Sequence, residues 1–447
     1  MFLVPHHRRK LAFQGTNDPL RFARNTLVKE TLMLDTPLEK TAALHLTHET
    51  VGKHTDDLPF LVRQALRFAC RLEVGTLTVT LPDNRIFTFG GTEPGPNAEM
   101  VMHDYAFTKR MFSSGDIGIA ESFLRGEWTT KDLTTFLLLF CANHHLISAM
   151  LADKPIIRYW QLFKYWLNRN TKSGSRKNIH AHYDLGNAFY TKWLDPSMTY
   201  SSALFTAEGK DLYHGQQNKY AALARESNIQ SGHSVLEIGC GWGGFAEYAA
   251  KEIGCNVTGL TISQEQYDFA KKRMFEAGLN EKVEIKFQDY RDEKGLYDRI
   301  ASIEMFEAVG EQFWPVYFNT LSERLKPSGV AGLQVITIQD RFFDSYRLEV
   351  DFIRRYIFPG GMLPSPSIMK KLGEKVGMAI KHERVFGVDY ADTLSAWRDK
   401  FRAAWPELTP LGFDERFRRM WEYYLAYCEA GFRAGNIDVR QIIYAKA

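Results

Sequence analysis

The sequence predicts an α/β fold: a seven-stranded, doubly wound sheet with helical insertions, preceded by a small α+β domain. Three observations carry this. From residue 234 onward, short apolar runs alternate with segments of helical period, the signature of βαβ units around a mostly parallel sheet. The first of those runs ends in a glycine-dense turn, GCGWGG over 239–244. Upstream, residues 75–90 read as a single hairpin among helical segments. At 447 residues the chain is also too long for one ordinary domain, since roughly 150 residues per domain gives two or three.

Taken in order, residues 1–58 mix charged and small side chains without a sustained period and read as a loosely ordered extension. Residues 59–153 form the expected α+β domain. LPFLVRQALRF from Leu58 is helical in period, GTLTVTL from Gly75 alternates as a strand, PDNR over 82–85 turns, IFTFG over 86–90 returns, and 104–150 read as helices. Between Lys154 and Asn178 lie seven basic residues and no acidic one, interleaved with Tyr159, Trp160, Phe163, Tyr165 and Trp166. Residues 154–180 are therefore either a linker helix with solvated charges or an interfacial helix on anionic lipid, and the same composition also suits a nucleic-acid surface. Over 181–447 the candidate strands are 234–238, 256–260, 283–287, 299–303, 330–338, 380–386 and 439–445.

The composition, 45% apolar and 24% charged, is that of a globular protein, and 13% aromatic residues point to apolar ligands or interfaces. A net charge of +3 is too small for a general polyanion binder, so no nucleic-acid partner is expected. Cys70, Cys141, Cys240, Cys255 and Cys428 are scattered, odd in number and without a CxxC, which indicates neither a disulfide framework nor a metal site and fits a reducing cytoplasm. The opening MFLVPHHRRK puts apolar residues before the basic cluster, the reverse of a secretory signal, so no export is expected. The most apolar stretch, 136–142, is far short of the roughly 20 residues that cross a bilayer. A membrane would be met from the side.

In VLEIGCGWGGF over 235–245, a strand runs into a turn where glycine permits positive φ and close approach of a ligand. A dinucleotide site wants a carboxylate about 20 residues further on, but the next strand ends GLTIS at 259–263, so NAD is disfavoured. S-adenosylmethionine methyltransferases use Asp/Glu-x-Gly-x-Gly-x-Gly, which Glu237, Gly239, Gly241 and Gly243 reproduce. SQEQ at 263–266 opens the following helix, where Gln266 either completes a capping box or binds ribose, and the two roles can coexist.

From about residue 60 the sequence resembles the cyclopropane-fatty-acyl-phospholipid synthases and the related mycolic-acid and fatty-acid C-methyltransferases. The blocks that carry it are HYDLGN at 182–187, LDP at 194–196, TYS at 199–201, EIGCGWGG at 237–244, QDYRD at 288–292, MFE at 305–307, YIFP at 356–359, and FGVDY at 386–390 with Trp397. The resemblance implies methyl transfer from S-adenosylmethionine to a carbon–carbon double bond of a phospholipid acyl chain. It implies a cofactor pocket lined by Tyr200, Ser201, Glu237, Gly239, Gly241, Gly243, Thr261, Gln266, Asp289 and Tyr290. The α+β domain resembles the lipid-binding region of longer members, although such a domain would serve equally for homodimer contacts. The implied setting is peripheral, on the inner face of an anionic membrane, with unsaturated acyl chains as partners.

An alkene is a feeble nucleophile, so this chemistry needs a dry apolar tunnel and aromatic faces for the carbocation, with Tyr356, Phe358, Tyr390 and Trp397 as candidates. A proton must then leave, and the position of the base decides between a cyclopropane and a methyl-branched or methylene product. In the family a bicarbonate ion held by a Cys, a Glu, a His and a Tyr does this. Glu307 and Tyr390 match two of them, whereas Ser202 stands for the Cys, Gln334 for the His, and Ala308 replaces a further common His. Ser and Gln can still hold an anion. The chain also carries Glu304, three residues before Glu307 at the end of the fourth expected strand, read either as a direct general base or as a solvated or capping acid. Cyclopropane formation is the default expectation, C-methylation without ring closure its rival. A methyltransferase of a small soluble acceptor and a lipid-binding protein without catalysis are the readings from other classes.

Overall fold

The computed structural model of the chain describes residues 42–144, 146, 185–206 and 211–446. The basic aromatic segment at 154–180 and His182 to Asp184 lie outside the described residues. Among the described residues, twelve strands form two sheets. The smaller contains β1 (Leu44–His45), β2 (Val74–Thr80), β3 (Ile86–Gly90), β4 (Glu93–Met102) and β5 (Trp128–Thr129) in the order β1-β3-β2-β4-β5. The expected hairpin is β2–β3, with Thr78 opposite Thr88 and Asn84 in the left-handed region at the turn. Two features depart from the sequence reading. β4, which carries Pro94 and Pro96, pairs in parallel with β2, and residues 44–58 are not loose: β1 lies beside β3, and Leu46, Val51 and Leu58 are buried in the core.

Helix Ala106–Leu124 is kinked where Gly115 adopts φ 59° and ψ −132°, a conformation closed to other residues. Helix Leu133–Ala142 begins at Asp132, whose carboxylate caps the Thr135 N–H. It lies against helix Glu415–Arg433, where Thr134 donates to Glu429, a carboxylate that also receives Arg398 and Arg433. One continuous apolar core runs from Leu46 through Trp128 and Phe136 to Trp193, Trp397 and Trp421, so the expected border between the two domains is crossed by shared packing.

All seven expected strands of the larger sheet are present: β6 (Ser234–Ile238), β7 (Asn256–Thr261), β8 (Val283–Phe287), β9 (Tyr297–Ile303), β10 (Leu325–Ile338), β11 (Met378–Val385) and β12 (Ile437–Lys446). Their order is β11-β12-β10-β9-β6-β7-β8, with β8, β7, β6, β9 and β10 parallel and β12 antiparallel between β10 and β11. Helices Gly387–Leu408 and Glu415–Arg433 are inserted between β11 and β12. Chain order reverses between β6 and β9, and at such a switch point the loops leaving the two strands part and open a crevice beyond their carboxyl ends. The glycine turn leaves β6 and Glu304 leaves β9, so the topology alone brings those two segments together.

Candidate active site

The turn after β6 is backbone-built. Gly239, Gly241 and Gly243 have φ of 81°, 53° and 84°, and a Cβ on Gly239 would stand 2.6 Å from Cγ of Met305 in the loop after β9. Only glycine fits there. Glu237, the penultimate residue of β6, is buried, and its Oε2 has no hydrogen-bond partner among the described residues. Burial pushes its carboxyl up to about 8, with Lys219 opposing. A buried carboxylate oxygen that lacks a donor, in the wall of a cavity beside a turn without side chains, suits a polar ligand that carries hydroxyl or ammonium donors.

Around the same turn Ser263 caps helix Gln264–Glu276 by accepting from Gln266 N–H, while Thr261 donates to Gln266 Oε1 at 2.9 Å, which fixes the amide toward the cavity. The capping box is not closed, because the Ser263 N–H donates to Thr261 Oγ1 rather than to the Gln266 side chain, which lines the cavity instead. Asp289 accepts from the Arg291 guanidinium at 2.6 and 2.8 Å, and that guanidinium lies over the Tyr290 ring. Tyr200, Ser201, Glu237, Gly239, Gly241, Thr261, Gln266, Asp289 and Tyr290 all line one cavity of about 550 Å³. Gly243 does not: a Cβ there would meet Met274 and Ala270 at 3.1 and 3.2 Å, so this glycine serves helix packing.

The opposite wall is built from side chains. Glu304 has φ 49°, a left-handed conformation that costs a non-glycine residue of order 1–3 kcal/mol, and it is half-buried in the cavity wall. Oε1 accepts from Ser202 N–H and from Gln334 Nε2, both at 2.8 Å, and Oε2 accepts from Tyr390 OH at 2.6 Å. Gln334 is itself aimed by Gln441, which donates to its Oε1 at 3.1 Å. Ser202 and Gln334, expected to face a bound anion, do not line the cavity: the Ser202 N–H and the Gln334 amide donate to a protein carboxylate, and the Ser202 hydroxyl donates to the Ala203 carbonyl. The reason is local: the positive φ turns the Glu304 side chain back into the fold between these donors. Burial raises its carboxyl above the usual range, against the opposing pull of Lys219 and of the three donors. Glu307 accepts from Ile336 N–H, its Oε2 has no hydrogen-bond partner among the described residues, and burial together with the Glu304 charge pushes its carboxyl up to about 8.

Between these walls the cavity is aromatic and aliphatic. Phe358 and Tyr390 line it as expected. Tyr356 and Trp397 do not: Tyr356 donates to Glu121 of the kinked helix, and Trp397 is fully buried behind Tyr200, ring centroids 5.2 Å apart. Sequence reasoning missed Tyr424, Tyr427 and Phe432, which line the cavity from helix Glu415–Arg433, and Cys141 and His144 from the smaller domain. The spacing of Phe417, Trp421 and Tyr424 along one stripe of that helix was the available signal. Buried Lys219, beneath Ser201, was missed as well.

Residues 170–442 match the family model for mycolic acid cyclopropane synthetase. The chain is 38% identical over 362 residues to the tuberculostearic acid methyltransferase UfaA1 of Mycobacterium tuberculosis, covering 79% of this chain and 84% of that protein. It is 37% identical to the cyclopropane-fatty-acyl-phospholipid synthase of Escherichia coli K12, covering 76% and 86%. Among solved structures, the cyclopropane synthase MmaA2 from Mycobacterium tuberculosis superposes with a TM-score of 0.57 at 30% identity, over 61% of this chain and 98% of that one. The mycolic acid cyclopropane synthase CmaA1, complexed with SAH and CTAB, does so at 0.57 and 29%, over 61% and 98%.

Proposed function

The chain belongs to the mycolic acid cyclopropane synthetase family and is an S-adenosylmethionine-dependent methyltransferase, and from that premise we propose that it methylates a carbon–carbon double bond in an unsaturated phospholipid acyl chain. The observation that carries the reading is the aromatic cavity that joins the glycine turn to two half-buried carboxylates, Glu304 and Glu307. The named activities of both relatives, on a fatty acid and on fatty-acyl phospholipid, support it. No helix among the described residues is long and apolar enough to cross a membrane, and the enzyme reaches the acyl chain from the membrane surface.

S-adenosylmethionine supplies the electrophilic methyl group. Glu237, the backbone of Gly239 and Gly241, Thr261, Gln266, Asp289 and Tyr290 would hold the donor, together with Tyr200 and Ser201, which line the same cavity. The apolar lining excludes water, which would otherwise capture a carbocation. The faces of Tyr390, Phe432, Tyr424 and Phe358 stabilise positive charge on the acyl chain through their quadrupoles. As the methyl–sulfur bond breaks and a carbon–carbon bond forms, one alkene carbon becomes cationic, and loss of one proton restores neutrality. Glu304 accepts that proton, so the cyclopropane default runs here on a protein carboxylate.

One observation favours the second reading, methylation without ring closure. The donors that would hold bicarbonate already hold Glu304. A carboxylate with three donors is a restrained base, and a longer-lived cation has time for a hydride shift before the proton leaves, which yields a branched or methylene chain. Incubation with unsaturated liposomes and labelled donor, followed by mass spectrometry of the acyl chains, tests both readings. The expected result is a gain of one CH₂, after which derivatisation separates a ring from a surviving alkene. Acyl chains without label at any pH would overturn the proposal.

A further inference from the structure

Lys219 has no place in the chemistry so far, yet it is fully buried in helix Leu212–Glu226, behind the cavity wall. Its ammonium donates to Ser201 Oγ at 2.6 Å and lies 4.7 Å from the centroid of the Tyr220 ring. One turn earlier Gln216 donates to the Ser201 carbonyl at 2.9 Å, so two side chains of one helix face grip the residue that precedes Ser202. Ser202 N–H in turn holds Glu304, and Gln441, which aims Gln334 at Glu304, also donates to the Lys219 carbonyl. Lys219 is thus tied to the acid from both sides without touching it. A buried ammonium is expensive unless a nearby negative charge compensates it. The carboxylates whose charge reaches it are Glu304, Asp195 and Glu237, and none makes a direct hydrogen bond to it.

We propose that Lys219 is a positioning residue that keeps Glu304 ionised, so that the acid end of the cavity holds a base when the acyl chain arrives. This rests on the reading of Glu304 as proton acceptor. The groups that face Glu304 are Lys219 from helix Leu212–Glu226, Tyr390 from helix Gly387–Leu408, Gln334 on β10, the Ser202 N–H, and Glu307 in its own loop. Lys219 is the cation among them. Its own ammonium is pulled down to about 7 by burial, with the three carboxylates opposing, so the compensation is mutual.

The test reads Glu304 directly. Infrared difference spectra against pH give its carboxylic-acid carbonyl band, identified as the band lost in Glu304→Gln. Lys219→Met, of similar length and without the cost of a buried charge, should move the midpoint of that band up by about one pH unit or more, the usual effect of losing one close opposite charge. Lys219→Gln, which keeps a donor for Ser201 and loses the charge, should shift it equally, and Lys219→Arg should restore it. The acid limb of the methyl-transfer pH profile should follow the same order. An unshifted band in Lys219→Met, or a wild-type midpoint in Lys219→Gln, overturns the proposal and leaves Lys219 a structural strut. The infrared midpoint needs no lipid turnover. A shifted band in an enzyme that never labels lipid therefore supports the role of Lys219 and rejects the lipid reading, whereas labelled lipid with an unshifted band does the reverse.

Discussion

The two loops that leave the adjacent parallel strands β6 and β9 form opposite walls of one cavity and are built on opposite principles. After β6 the chain removes side chains: Gly239 and Gly241 take positive φ and leave backbone to face the ligand. After β9 it does the reverse. Glu304 holds positive φ against its own preference, and its carboxylate is met by the Ser202 N–H and by side chains from β10 and helix Gly387–Leu408. A wall of backbone recognises a ligand common to many enzymes. A wall of buried side chains sets a protonation state particular to one reaction.

This contrast breaks most sharply at Glu304. Glu304→Gln keeps the shape, with the amide oxygen still accepting from Ser202 N–H and Gln334 and the amide NH2 donating to the Tyr390 oxygen, so S-adenosylmethionine affinity should stay within about threefold while methyl transfer falls by roughly 10²–10⁴, the usual worth of a positioned acid or base. Calorimetry and lipid labelling on the same sample check it, and equal loss of both would mean that the two walls are one. The converse variant is Gly239→Ala. Its Cβ would collide with Met305 at 2.6 Å in a left-handed conformation, and strain of about 1–3 kcal/mol at 1.4 kcal/mol per tenfold predicts donor binding weaker by roughly 5- to 140-fold.

How legible each wall was follows from the same difference. Seven strands and the glycine turn could be read because each is a short apolar run or a local pattern, and local patterns survive in one dimension. β4 could not be: Pro94 and Pro96 argue against a strand, but they fall where its pairing with β2 slips register between Val74 and Thr76, ahead of the regular ladder from Asn97. Ser202, Gln334, Glu304 and Tyr390 were identified, but their mutual bonding depends on one backbone dihedral and on strands far apart in sequence. Lys219 was legible in part. Leu212, Gly215, Gln216, Lys219, Ala222 and Leu223 recur every three or four residues, which puts the lysine on the buried stripe of its helix.

The carboxylates also predict a pH signature of stability that sharpens the contrast. Glu307, pushed up to about 8 by burial and by Glu304, binds its proton more tightly folded than unfolded. Such a group supports folding while protonated, and that support drains away as pH rises from its ordinary value of 4.5 toward 8, at up to about 1.4 kcal/mol per pH unit. Urea unfolding at pH 5 and pH 8 should show wild-type stability falling with pH, and Glu307→Gln should flatten that fall. An unchanged slope would mean that Glu307 is ionised in the folded state.

The smallest expected effect separates two tyrosines that the sequence could not rank, since both were candidates for a cation-facing ring. Tyr390 and Tyr356 each donate to a glutamate, Glu304 and Glu121. Of the two, Tyr390 lines the cavity together with its partner Glu304, whereas neither Tyr356 nor Glu121 does, and Glu121 also receives Arg355. Tyr390→Phe removes one of three donors from the base. It should therefore raise the Glu304 midpoint and move the acid limb of methyl transfer upward, with the aromatic face intact. Tyr356→Phe removes a bond at the contact between the smaller domain and the short π-helical turn Ile353–Ile357. A hydrogen bond there is worth about 0.5–1.5 kcal/mol net, so stability should drop by that much while the pH profile and the product stay as they were. A displaced pH profile in Tyr356→Phe would mean that the smaller domain reaches into the chemistry and that the acid wall extends beyond the larger sheet.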